Sequence, residues 1–100
     1  MFKGTTPTHT FEVPFDTSLI KEVKITYSQR DEEILVKRTK DCKLSGRSIS
    51  TRLSQEDTFL FADNTMVTIQ MRILTNSGDA LIAEPIMMAV GKCLADEVLI

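Results

Sequence analysis

The sequence predicts an all-β protein: a single immunoglobulin-like antiparallel β-sandwich of about seven strands, with one short helical turn near residues 54–58. Three observations lead there. First, the dominant hydrophobic period is two. Val23-Lys24-Ile25-Thr26-Tyr27, Ile49-Ser50-Thr51-Arg52-Leu53 and Val67-Thr68-Ile69-Gln70-Met71-Arg72-Ile73 each alternate apolar with polar residues. Successive side chains of a strand point to opposite faces, so each run buries one face and wets the other. Second, turn signals punctuate the chain every 8–12 residues or so, the spacing of a sandwich. Third, those gaps hold no crossover helix, so the strands pair antiparallel.

Each element has its own reason. Thr8 to Val13 reads as the first strand, with Phe11 and Val13 on one face, and Pro14 breaks it because proline lacks the ladder donor. Lys21 to Gln29 is the second strand. Arg30-Asp31-Glu32 is a charged turn, and Glu33 to Thr39 returns from it. Asp41 to Leu44 is short and runs into Ser45-Gly46, a tight-turn pair, since glycine takes positive φ without a steric penalty. Arg47 to Leu53 is its hairpin partner. Ser54 can cap a helical turn, with Asp57 near the capping-box position, and the turn should pack Phe59 or Phe61 inward. Met66 to Leu74 is the most regular strand. Asn76-Ser77-Gly78-Asp79 is a hairpin loop, and Ala80 to Val90 is the return strand, in which Pro85 demands an edge, a bulge or a break. The expected core is Phe11, Val23, Ile25, Tyr27, Leu53, Val67, Ile69, Met71, Ile82 and Met88. The single domain spans 1–100, with its core at about 4–90 and a tail at 91–100.

Composition narrows the function. The chain has 100 residues, 42% hydrophobic and 26% charged, with a formal net charge of −2. A globular domain of that size supports its own core. The slight acidity argues against nucleic acid held by bulk positive charge. No apolar stretch near the ends approaches the ~20 residues that cross a bilayer, and the start has no secretory pattern, so a soluble protein made in a cytoplasm is expected, with no membrane partner. Cys42 and Cys93 fit neither a redox pair nor a zinc site. They read as free, largely buried thiols, or alternatively as one disulfide joining a middle strand to the tail.

Few residues point to chemistry. His9 is the only histidine, and a general base needs an orienting partner. It reads as facing solvent or a neighbouring subunit. Asp31, Glu32 and Glu33 read as a solvated hairpin tip. Lys37, Arg38, Lys40 and Lys43 read as one wet strand face or a defended edge, with a contact surface for an acidic partner as the other reading. The isolated glycines form no phosphate loop, and no nucleophile elbow exists. No catalytic residue, cofactor or metal ligand is assigned, and an enzyme is not expected. Contacts are a different matter. Met66, Met71, Met87 and Met88 are core filler or an adaptable docking face. The tail ends Val98-Leu99-Ile100, which either folds back on its own sandwich or docks on a neighbour. Met87, Val98, Leu99 and Ile100 are therefore the candidate interaction surface.

A resemblance adds to this reading. It rests on Gly4-Thr5-Thr6-Pro7-Thr8-His9-Thr10-Phe11, Leu19-Ile20-Lys21-Glu22-Val23-Lys24-Ile25-Thr26-Tyr27, Ile49-Ser50-Thr51-Arg52-Leu53-Ser54-Gln55-Glu56-Asp57-Thr58 and Val67-Thr68-Ile69-Gln70-Met71-Arg72-Ile73-Leu74. In that order these segments resemble short, mostly uncharacterised proteins of Firmicutes phages and prophages. More distantly they resemble the immunoglobulin-like amino-terminal domain of phage baseplate upper proteins, over Gly4 to Val90. The resemblance implies a non-enzymatic virion structural or assembly protein of the tail or baseplate type. Its partners would be other phage structural proteins and further copies of itself, in a homo-oligomer. The alternative is a carbohydrate- or host-surface-binding module of an attachment device, for which the absence of Trp and the single Tyr27 are unfavourable.

Overall fold

A computed structural model describes all residues, Met1–Ile100, with eight strands, one short α-helix and two 3-10 turns, Thr17–Leu19 and Thr39–Asp41. The strands are β1 (Thr8–Glu12), β2 (Ile20–Gln29), β3 (Glu32–Arg38), β4 (Cys42–Ser45), β5 (Ser48–Arg52), β6 (Val67–Thr75), β7 (Ala80–Ile82) and β8 (Ile86–Met88). The helix α1 is Gln55–Phe59. Two antiparallel sheets result. The smaller has the order β1-β5-β4; the larger has the order β3-β2-β6-β7, with β8 also paired to β6. This is the expected all-β sandwich. An immunoglobulin constant domain sets its second strand beside the first and fifth. Here β2 lies instead between β3 and β6, and the two-layer antiparallel plan is kept.

The alternating runs bury the expected face. Val23, Ile25 and Tyr27 of β2 meet Ile49 and Leu53 from the β5 side and Val67, Ile69, Met71 and Ile73 of β6 in one apolar cluster. Phe11, Val13, Phe61 and Val90 complete it. Of the two helical-turn phenylalanines, Phe61 is the buried one. The cap forms as expected: the Asp57 amide donates to Ser54 Oγ at 3.0 Å, and the Ser54 amide donates to Asp57 Oδ2 at 2.9 Å.

The turns follow backbone chemistry. Arg30 and Asp31 both take positive φ, 53° and 62°, as a two-residue hairpin of the type I′ kind requires; aspartate tolerates this conformation, whereas arginine does not favour it. Gly46 opens the β4–β5 turn at φ 57°.

The last expected strand is two strands. Between the pairs Arg72↔Ile82 and Ile69↔Ile86, three residues (Ala83, Glu84, Pro85) oppose two (Met71, Gln70). That extra residue is a bulge, placed where Pro85 cannot donate. It corrects the expected core. Ile82 pairs with outward-pointing Arg72, so it faces solvent and is 63% exposed. Met88 pairs with Val67 and is only partly buried against the core.

Candidate functional site

The polar groups between the sheets come first. His9, Thr51 and Cys42 are cross-strand neighbours on β1, β5 and β4. They face Tyr27 of β2, which is fully buried. His9 Nδ1 lies 2.6 Å from the Tyr27 hydroxyl, with the rings tilted at a centroid distance of 5.6 Å. The expectation that His9 faces solvent or a neighbour is therefore corrected: it is half-buried, and its partner is in the opposite sheet. Burial, with the amino-terminal charge adding to it, holds the imidazole pKa below its usual value. Burial likewise pushes the Tyr27 phenol and the Cys42 thiol upward. All three groups are thus kept neutral near pH 7, and the pair forms one neutral hydrogen bond in either imidazole tautomer.

The cluster is closed from the β3 side. Lys37 opposes Ile25 and so points between the sheets, where its Nζ donates to Asp57 Oδ2 at 2.8 Å. Burial raises the Asp57 pKa, but the hydrogen bonds from Lys37 and the Ser54 amide, with the Lys37 charge, outweigh that and hold it low. Lys37 and Arg38 are adjacent on one strand and so take opposite faces. They therefore do not share one wet face as expected. An inward charge on an edge strand discourages illegitimate pairing. Tyr27 gives no exposed ring to a ligand, and no three His, Cys, Asp or Glu side chains converge on a metal position. The hydroxyl–imidazole pair is a tie between sheets with no opening onto solvent at Tyr27.

The surface is more distinctive. β7 and β8 extend the larger sheet beyond the cover of the smaller one. On the inner face Leu81 and Ile86 stay 42% and 43% exposed, because nothing lies over them. On the outer face Ile82 and Met87 are 63% and 62% exposed. Four large apolar side chains thus crowd one edge, the kind of patch that marks contact sites. Met87, read from the sequence as core filler or docking face, is one of the four exposed residues. Of the other methionines, Met71 is core and Met66 is exposed.

The expected tail residues do not join that patch within the chain. Gly91 pairs with the amino-terminal segment: its amide donates to the Met1 carbonyl at 2.7 Å, and the Lys3 amide donates to its carbonyl at 3.1 Å. Further on, Gln55 of α1 grips the Leu99 backbone with both ends of its amide. Nε2 donates to the Leu99 carbonyl at 2.8 Å, and the Leu99 amide donates to Oε1 at 2.7 Å. The tail backbone thus folds back on its own sandwich. Its side chains do not: Leu94, Leu99 and Ile100 are exposed, and Val98 is half-buried. Cys42 and Cys93 are free and each half-buried, so the disulfide alternative is not realised.

Sequence reading missed two polar anchors. The buried Gln29 donates to the carbonyls of Ala62 and Thr65 and accepts from the Ala62 amide. The buried Thr58 accepts from the Gly4 amide and donates to the Thr5 carbonyl. Their one sequence signal is a polar residue at an inward position of an otherwise apolar alternation, which holds for Gln29 after Val23, Ile25 and Tyr27. No helix is long and apolar enough to cross a membrane.

The class the fold defines is a two-sheet antiparallel β-sandwich with an uncovered apolar edge. No protein-family model, curated protein or solved structure matches the chain.

Proposed function

We propose that this chain is a non-enzymatic structural or assembly module of a phage or prophage virion, of the tail or baseplate kind, made in the bacterial cytoplasm and acting through contacts with other virion proteins and with copies of itself. One observation carries the contact reading: Leu81, Ile82, Ile86 and Met87 stand exposed together on the uncovered β7–β8 edge. Burying such a side chain fully is worth about 1.5–3 kcal/mol, so a partner that covers several gains a stable interface. The strand edge beside them supplies free backbone donors and acceptors. The virion setting rests on the sequence resemblance.

Light scattering coupled to size exclusion tests it, with the protein alone and with virion tail proteins. Mass should rise with concentration, or a stable complex should form. Ile82→Lys with Met87→Lys should weaken both while leaving the circular dichroism unchanged. A strict monomer that binds no tail protein at high concentration contradicts the reading.

A further inference from the structure

The outer face of the larger sheet carries a row of like charges. Lys24 stands directly opposite Arg38 on β3 and directly opposite Arg72 on β6. Opposed side chains on neighbouring strands lie ~4.5–5.5 Å apart at Cβ, and like charges so placed destabilise a sheet. Past Arg72 the row ends on exposed Ile82. Of the two flanking rows on the same face, Val36, Thr26 and Gln70 are uncharged, and the other carries Glu22 opposite Leu74. Charge in the row is poorly offset. Glu33 reaches Lys24 only at 4.0 Å, and neither arginine has an ion-pair partner. A cleft of about 640 Å³ runs over these residues, lined by Lys24, Arg38, Lys40 and Arg72 and by a single carboxylate, Glu22.

One segment of the chain is complementary in both respects. Asp96-Glu97-Val98-Leu99-Ile100 sets two acids before three apolar residues. Asp96 and Glu97 are exposed, and so are the Leu99 and Ile100 side chains. Lengths agree as well. Four strands at the usual spacing put the ends of the row ~14 Å apart, and five extended residues span ~13 Å. Laid across the strands, Asp96, Val98 and Ile100 face the sheet, with Asp96 over the Arg38–Lys24 end and Ile100 over Ile82, while Glu97 on the other side of the segment adds its charge to the same end. The segment's own Gln55 lies on α1 and holds the Leu99 backbone, and Val98 is half-buried, while the Asp96, Glu97, Leu99 and Ile100 side chains are exposed and open to contact elsewhere.

We propose that the Arg38–Lys24–Arg72–Ile82 row is the socket for the segment Asp96–Ile100 of a second copy of this chain. This deepens the self-association reading above and rests on it. The contact is head-to-tail, because socket and segment are different surfaces. Such a contact propagates into a ring when its rotation closes and into a filament when it does not. Exposed ion pairs set its specificity and salt dependence, and aliphatic contact at Ile82 adds hold.

Charge exchange tests it, read by sedimentation equilibrium of full-length chains at low salt. One variant carries Lys24→Glu and Arg72→Glu; the other carries Asp96→Lys and Glu97→Lys. All four side chains are exposed or half-exposed, and circular dichroism checks that both variants fold. Each variant alone should associate at least about tenfold more weakly than the wild type, since each reversal turns attraction into repulsion. An equimolar mixture, and the chain carrying all four substitutions, should recover association. Wild-type assembly by either variant alone overturns the socket and leaves the self-association reading standing. So does a mixture that stays dissociated. A wild type that never associates overturns both.

Discussion

The His9 imidazole on β1 and the Tyr27 phenol on β2 meet at 2.6 Å, one hydrogen bond joining the smaller sheet to the larger through the interior. Tyr27 is buried, and its ring also packs tilted against Phe61 at a centroid distance of 5.8 Å. A lost partner here leaves a polar atom without water to replace it, at a cost of about 1–3 kcal/mol. Tyr27→Phe and His9→Ala should each lower stability by that order in urea unfolding. The double variant should lose less than the sum, because both remove the same bond.

Burial of His9 also makes stability depend on pH. Burial depresses the folded-state pKa of His9 below 6.5. Between the two pKa values the unfolded chain binds more protons than the folded one, so stability rises with pH there. The contribution is complete above pH 6.5 and is lost as pH falls below it toward the folded value. Urea midpoints measured from pH 7.5 to 5 should fall, and His9→Gln should flatten that segment of the curve. An unchanged slope in the variant would remove His9 as its cause.

Asp57 serves two structures at once. It receives the Ser54 amide as the capping partner of α1 and receives Lys37 from β3. Asp57→Ala removes the reciprocal half of the capping box, leaving only the Ser54 Oγ bond, and leaves a largely enclosed ammonium unpaired. A stability loss of about 1–3 kcal/mol is expected, larger than for Ser54→Ala at about 1 kcal/mol. Equilibrium unfolding of both variants gives the comparison.

Turn chemistry offers a gain instead. Arg30 and Asp31 sit at positive φ, where L side chains other than Asn and Asp are costly. Replacing them with Asn-Gly should stabilise the β2–β3 hairpin by about 0.5–1 kcal/mol, raising the melting temperature by several degrees. Calorimetry measures it.

The extent to which this fold was legible follows from how local each signal is. Alternation within β2, β5 and β6 needs only its own strand, so Val23, Ile25, Tyr27, Val67, Ile69 and Met71 were placed correctly. Ser54 and Asp57 lie within one helical turn, and their cap was readable. Ile82 was misplaced because the residue added by the bulge at Ala83–Pro85 changes the parity between β7 and β8. An alternation carried through such a bulge assigns every residue on one side to the wrong face. His9 was misread because its partner lies 18 positions away in the other sheet. The Arg38–Lys24–Arg72 row is not legible in the sequence for a related reason: it exists only once β3, β2 and β6 are in register. The sequence left Met87 open between core filler and a docking face, and the grip of Gln55 on Leu99 requires the folded position of α1.

Backbone hydrogen exchange as a function of protein concentration reaches the contact reading most directly. If copies cover the uncovered edge, amides of residues 80–88 should exchange more slowly in concentrated than in dilute solution, while those of the β4 edge at residues 42–45 keep one rate throughout. Equal exchange at 80–88 across the whole concentration range would contradict the account.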